Sequence, residues 1–307
     1  MHRKQRMYLW MTLLVCLWGL DYSVSKQVLR VFHPLTLMFL KYTGGFIVLL
    51  VLKLCFDRKF VFHKRDILLF AGCAVVGQGL YYYCEYTAMD YIPVSMITIV
   101  LSFVPVVSIL IERIFLGRRS SGRMAVGILV SIIGIILVLG ADMKSLLHGS
   151  AWGYLLALGA VLCWNGYNFL TARAAGRGYS DLSLSFNQLL CTVALFAPYA
   201  IWSMPPASDF TPAITGSLIY LGLGSAGLGY LILVAGIHQL GPTPSALFAN
   251  MMPVPTAVFA WIFLGESLSW LQILGGVIVI VSTCFVIREK ERLAATSRVQ
   301  GRHEADG

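Results

Sequence analysis

Charge is what this 307-residue chain has least of. Asp, Glu, Lys and Arg together make up 12% of it, about half the share found in an average soluble domain. That deficit excludes an ordinary cytosolic globule, a disordered chain and a nucleic-acid-binding domain. Acids are the scarcer sign, 14 against 23 Lys and Arg, for a net charge of +9. Also missing are a zinc-ligand spacing, a phosphate-cradling P-loop and a G-x-S-x-G nucleophile elbow, so neither a metal, a cofactor nor an enzymatic activity is expected. The cysteines are few and odd in number, seven in all. All fall within or at the edges of apolar runs and are expected to be small core residues with no complete disulfide pairing.

Apolar side chains fill the gap, 58% of the chain, with a mean hydropathy of +0.78. A helix needs roughly 20 such residues to cross a ~30 Å hydrocarbon core. Ten stretches qualify, at 8–29, 35–55, 67–89, 93–115, 124–141, 151–172, 181–203, 212–237, 243–264 and 269–287. The connections between them leave no room for a soluble domain, so the expected fold is an all-α integral membrane bundle of ten spans. The first run is too long for a signal peptide and contains Asp21 and Lys26, so it is expected to be retained as a helix. Pro34, Pro93, Pro205, Pro206 and Pro242 lie at run ends, where proline opens a helix without losing a hydrogen bond. Pro105, Pro198, Pro253 and Pro255 fall inside runs and mark candidate kinks beside a cavity. Residues 288–307 read as a polar, solvated tail.

The bases report orientation. With ten spans both termini share one side, and placing that side in the cytoplasm puts 19 of the 23 Lys and Arg on inner segments and 3 outside, with Lys41 left within a span. The expected location is the plasma (cell inner) membrane, multi-pass, with both termini cytoplasmic. The basic balance then needs no nucleic-acid partner.

A shift of 148 residues brings the two halves into register: Phe115-Leu116-Gly117 on Phe263-Leu264-Gly265, Pro105-Val106 on Pro253-Val254, Gly127 on Gly275, Gly79 on Gly227 and Tyr82 on Tyr230. Near the start of each half a shift of 146 places Trp18 on Trp164. Five spans per half is odd, so the copies insert upside down. The first Phe-Leu-Gly is followed by Arg118, Arg119 and Arg123, the second by Glu266, as opposite sides of a membrane require. The expected domains are a first five-helix repeat at 1–145, an inverted second repeat at 150–287 and a cytoplasmic tail at 288–307. Inverted repeats are a construction of secondary transporters, with a binding site near the midplane between the halves.

Leu17-Trp18-Gly19 in the first run, Pro34 followed by Lys41 in the second, Ala88 closing the third and Phe-Leu-Gly-Glu before the tenth resemble the pattern of the EamA-type branch of the drug/metabolite transporter superfamily. The resemblance covers about 8 to 287. It implies two inverted five-helix halves, alternating access, and a cavity lined mainly by the first, third and fourth helices of each half. It also implies export of amino acids and other small metabolites, with import of a small polar solute as the alternative. A channel and an intramembrane enzyme are the rivals of a different class. Two positions depart from the pattern, Arg118 where a Glu is frequent and Lys41 where an Arg is.

Ionisable side chains inside spans are costly and face a wet cavity or a partner. Three stand out here, Asp21, Lys41 and Glu85. At ~1.5 Å per residue Asp21 lies ~20 Å from the inner end of its helix and Lys41 ~10 Å from the outer end of its own. They therefore share a depth, and a pair between them is expected, either as a proton or cation site with a substrate anchor or as a structural bridge. Glu85 is either a second coupling acid or a snorkelling side chain. Trp18, Tyr22, Tyr82, Trp164 and Tyr230 could line a cavity with rings that carry a polar tip. Of the consecutive Tyr81, Tyr82 and Tyr83, at most two can face it. Ser102, Asn168 and Asn250 could offer hydrogen bonds to a substrate or join helices. Gly222, Gly224 and Gly227 spell a dinucleotide fingerprint within an apolar run, where no strand precedes it. A ring-rich cavity with two acids favours an aromatic or cationic amino acid as solute, with protons as the coupling ion.

Overall fold

A computed structural model of the chain describes residues 2–92, 94–115, 117, 121–139, 150–264 and 269–303. Leu116, Arg118, Arg119, Lys144, Gly265 and Glu266 lie outside the described residues, as does the side chain of Tyr22. Among the described residues every regular element is helical. In chain order they are α1 (His2–Val28), α2 (Pro34–Phe56), α3 (Lys64–Ala88), α4 (Val94–Leu101), α5 (Val104–Phe115) and α6 (Gly122–Leu139). The second half continues with α7 (Ala151–Ala175), α8 (Asp181–Trp202), α9 (Pro212–Leu240), α10 (Pro242–Ala249), α11 (Pro253–Leu264) and α12 (Trp270–His303).

Nine segments among the described residues are long and apolar enough to cross a bilayer: α1, α2, α3, the α4–α5 run over Met96–Phe115, α6, α7, α8, α9, and α12 as far as Leu293. The ninth expected run, 243–264, is two shorter helices, α10 and α11, parted by a turn at Asn250–Met252. Proline is the physical reason. Pro253 has no N–H to give Ala249, so the helix stops and restarts with Pro253 in its first position. The equivalent run of the first half breaks the same way at Ser102 and Phe103, just before Pro105. Pro198, by contrast, sits inside an unbroken α8.

The third run of each half is altered alike. α3 passes through a π-helical stretch at Ala74–Leu80 and α9 through another at Leu221–Gly229, which the 148-residue shift superimposes. Glycine allows what each stretch packs on. A Cβ on Gly227 would meet Val48 at 3.0 Å and one on Gly79 would meet Phe196 at 2.3 Å, and Val48 and Phe196 are themselves related by the same shift. Where α2 crosses α9 the backbones touch, since a Cβ on Gly44 would lie 2.8 Å from the Cα of Gly222. Of the dinucleotide-like glycines, Gly222 and Gly227 are thus helix-crossing residues.

Helix starts follow local chemistry. Ser180 and Thr211 accept from the N–H groups of Ser183 and Ile214 at the heads of α8 and α9, and Ser269 with Gln272 forms a reciprocal capping box at α12. Gly241 joins α9 to α10 at φ +96°, a conformation only glycine adopts without strain. The outer surface is apolar: Leu68, Ile114 and Trp202 are 83%, 70% and 85% exposed, which suits lipid and not water.

Two expectations are corrected. The polar tail is not a loose end, because α12 runs on to His303. Its first charges are tied down, Lys290 to Glu112 at 2.8 Å, Glu289 to Ser121 at 3.1 Å and Glu291 to Tyr8 at 2.8 Å. The cysteines are all free, and Cys73 alone is buried while Cys55 and Cys284 are exposed. A thiol is apolar enough to face lipid as readily as a core.

Candidate functional site

α1 carries Trp18 and Asp21 on one face, and the long Lys41 side chain of α2 reaches Asp21. The ammonium lies 2.8 and 3.0 Å from the two carboxylate oxygens. Ser25, one turn on, donates to the same carboxylate at 2.9 Å. Lys41 is fully buried, and its Nζ also stands 4.9 Å from the centre of the Tyr82 ring, so carboxylate and ring face hold it together. The equal depth read from the sequence is what makes this pair.

α3 supplies the next wall. Tyr81 and Tyr82 face inward and Tyr83 is 41% exposed, as a helix forces on three consecutive rings. Glu85 is one turn beyond Tyr81 and accepts its hydroxyl at 2.8 Å. Being 2% exposed, it does not snorkel. The rings interlock. Trp164 from α7 lies 4.7 Å from Tyr81 and 5.8 Å from Trp18, and Tyr82 lies 5.2 Å from Tyr86.

Together these residues enclose a cavity of about 80 Å³. Its floor is built at the two proline-broken turns, where the amide of Asn250 donates to the carbonyl of Ser102 at 2.7 Å, joining positions related by the repeat. Thr98, Ile135 and Met252 also line it.

The cavity is shut toward the end of the bundle that carries the N-terminus. Below the Trp18–Trp164 contact, Tyr8 stacks on Phe248 at 5.7 Å, Ser108 bonds Thr243 at 2.9 Å, and Glu112 is paired with Lys290. The same end holds further ties between the halves. Buried Lys53 contacts Asp57 at 3.0 Å and Ser183 at 2.9 Å, and its hydrogen bond holds the Asp57 carboxyl below its ordinary range. Tyr179 donates to Asp66 at 2.8 Å, and burial pushes its phenol up. Within the second half, His238 meets Asp181 at 2.6 Å at the same end.

Of the expected site residues, Trp18, Asp21, Tyr82, Glu85, Ser102, Trp164 and Asn250 line the one cavity. Lys41 stands behind Asp21. Two do not reach the wall. Tyr230 is buried behind Trp18 at 5.8 Å, and its hydroxyl is bonded to that of Tyr42 at 2.6 Å. Repeat symmetry places Tyr230 opposite Tyr82, but the first half's Tyr42 captures it. Asn168 is buried beside Tyr167 with its carbonyl oxygen unpaired. Tyr42 went unread because it sits in an ordinary apolar run. Tyr86 was legible at i+4 from Tyr82, on the same helix face.

The EamA-like transporter family model matches the chain twice, over residues 5–140 and 151–288. Among curated proteins, the chain is 25% identical over 286 residues to the threonine/homoserine exporter RhtA of Salmonella typhimurium, covering 88% of this chain and 89% of that one. It is 24% identical over 224 residues to a probable terminal-alkyne amino-acid exporter of Streptantibioticus cattleyicolor, covering 73% and 74%. It is 22% identical over 290 residues to the uncharacterized transporter YvbV of Bacillus subtilis, covering 94% and 93%. A solved crystal structure superimposes with a TM-score of 0.74 at 17% identity, covering 92% of this chain and 97% of that chain; it shares the fold.

Proposed function

The chain belongs to the EamA-like transporter family, and from that premise we propose that it is a secondary active exporter of small metabolites such as amino acids, coupled to protons and working by alternating access. The observation that carries this reading is the cavity itself. It is polar and aromatic, lies between two repeats, and is closed at one end by ties that cross between them. Exchanging which end is tied would expose the same cavity to the other side, and the matching breaks at Ser102 and Asn250 and the matching π-helical stretches are where each half can bend.

The proposed frame is ten spans, repeats at 1–145 and 150–287, a cytoplasmic tail at 288–307, and both termini in the cytoplasm of a cell whose inner membrane it occupies. The charge count supports that orientation, with bases gathered on one side. The cavity then faces outward. Relatives that are amino-acid exporters support the solute class and the direction. Asp21 and Glu85 are the proposed coupling acids, because both are membrane carboxylates on the cavity wall.

Counterflow in proteoliposomes with radiolabelled amino acids tests transport; a saturable exchange stimulated by solute on the far side is expected, and flow without saturation would make the protein a channel. A pH gradient should drive flux, and neutralising Asp21 or Glu85 should weaken that drive. Undiminished coupling in both variants removes the proton reading.

A further inference from the structure

Donors and acceptors are unequally disposed around the cavity. Four donors on its wall are already committed: Trp18 Nε1 to the carbonyl of Ser225 at 3.3 Å, Asn250 Nδ2 to that of Ser102, Tyr81 to Glu85, and Tyr86 to Ser25 at 3.4 Å. The acceptors are two carboxylates, each with several lone pairs. Among the described lining residues there is no Lys, Arg or His, and the nearest base, Lys41, is enclosed behind Asp21. A solute carboxylate would meet two carboxylates and no positive charge, with only neutral donors such as the Trp164 indole N–H left to receive it. A solute ammonium would meet lone pairs and the negative faces of five rings.

The protein supplies its own precedent in the same wall. The Lys41 ammonium rests on the Asp21 carboxylate and over the Tyr82 ring at 4.9 Å. One helical turn away Glu85 adjoins Tyr81 and Tyr86, and Trp164 lies against Tyr81 at 4.7 Å. That second combination of carboxylate and rings faces the cavity.

Resting on the transporter reading, we propose that this cavity recognises its solute through an ammonium group, seated on Glu85 and against the rings of Tyr81, Tyr86 and Trp164, with the rest of the solute directed toward the mouth. At about 80 Å³ the cavity is smaller than the ~150 Å³ that accommodates benzene. It therefore fits an ammonium head and not an entire aromatic side chain. Amines and amino acids bind; the same carbon skeletons bearing only a carboxylate do not.

Two skeletons separate the groups. L-leucine, 3-methylbutylamine and 4-methylpentanoate are one series, and L-valine, isobutylamine and 3-methylbutanoate the other. Calorimetric titration of each into the full-length protein in nanodiscs should show both ammonium compounds binding at least about tenfold more tightly than the acid, a difference of about 1.4 kcal/mol. Glu85→Gln should erase that preference, while Tyr83→Phe, on the lipid face, should keep it. Because the series is read first on the unaltered protein, a Glu85→Gln variant that fails to fold leaves the test intact. Acids that bind as well as amines, no binding by any ammonium compound, or a preference that survives Glu85→Gln would each overturn the proposal. The counterflow assay is independent of it. A protein that exchanges a sugar but no ammonium solute keeps the transporter reading and loses this one, whereas one that exchanges nothing loses the first.

Discussion

Removing one partner of the Asp21–Lys41 pair should be far more harmful than removing both. At 2.8 Å and an effective dielectric of about 20, the gross attraction is about 6 kcal/mol. Taking both groups out of water costs several kcal/mol per ion, so the net worth of the pair is small. A single replacement leaves the surviving charge uncompensated: Lys41 is 1% exposed and Asp21 12% at their side chains. Asp21→Asn and Lys41→Met should therefore each lower the unfolding free energy by about 3–5 kcal/mol. The double variant should return to within about 2 kcal/mol of the parent, because neither charge then remains to be buried. The assay is reversible unfolding in mixed micelles, read as a double-mutant cycle with an expected coupling of about 3 kcal/mol or more. If the two losses simply add, or each stays under about 1 kcal/mol, the pair is solvated and this reasoning is wrong. The same double variant, being folded, also separates structure from coupling. It should still exchange solute in counterflow while losing the part of proton drive carried by Asp21.

Three further predictions address packing and charge. Gly44→Ala should destabilise by about 1–3 kcal/mol, since its Cβ would lie 2.8 Å from the Cα of Gly222 and only backbone movement relieves that. Gly216→Ala, with nothing within 4 Å, should gain up to about 1 kcal/mol in the same unfolding assay, and equal effects at the two sites would contradict the crossing. Among the described residues the buried Gln78 amide has no hydrogen-bond partner at either atom, so Gln78→Leu should stabilise by about 1 kcal/mol or more; a loss would show that the amide is bonded after all, the neighbouring Tyr167 hydroxyl being the partner at hand. Asp57 has its carboxyl held below its ordinary 3.8 by Lys53, so its contribution is present above that value and disappears as pH falls through the depressed one. Hydrogen exchange over residues 57–63 should accelerate below about pH 4 in the parent, whereas in Asp57→Asn the acid-side acceleration should be absent.

How much was legible depended on which physics set each feature. Spans follow from composition over twenty residues, and the break at Ser102 follows from a proline that cannot donate, so both can be read locally. The Asp21–Lys41 pair could be read because depth along a helix is simple arithmetic. Which ring reaches the cavity was not legible. Tyr82 and Tyr230 are equivalent by repeat, yet Tyr42 binds the second through its hydroxyl, and Tyr42 has no counterpart, Leu190 standing at the related position. The π-helical stretches were visible only as glycines, because the extra residue per turn is fixed by what α2 and α8 press against them. The helical tail was missed since its charges, read alone, suit solvent; only the fold brings Glu112, Ser121 and Tyr8 within reach of them.

The comparison of the halves assigns them different work. Under the repeat shifts Lys41 corresponds to Leu189, Glu85 to Leu233 and Asp21 to Tyr167, so the first half holds all three membrane charges and the second holds none of their counterparts. What the second half contributes to the cavity is neutral: Trp164, Asn250, Met252 and Pro253. Both halves thus keep the broken fourth run and the π-helical third, while these three ionic side chains stand in one of them. A charge in low dielectric is expensive to uncover and expensive to carry. In the proposed alternating-access cycle, confining all three to one half would let the other move past them without breaking the Asp21–Lys41 pair. The ties that do cross between the halves, Glu112 with Lys290 and Lys53 with Ser183, sit toward one end of the bundle, and because Lys53 and Glu112 are buried, parting them requires water to enter in place of the lost partner.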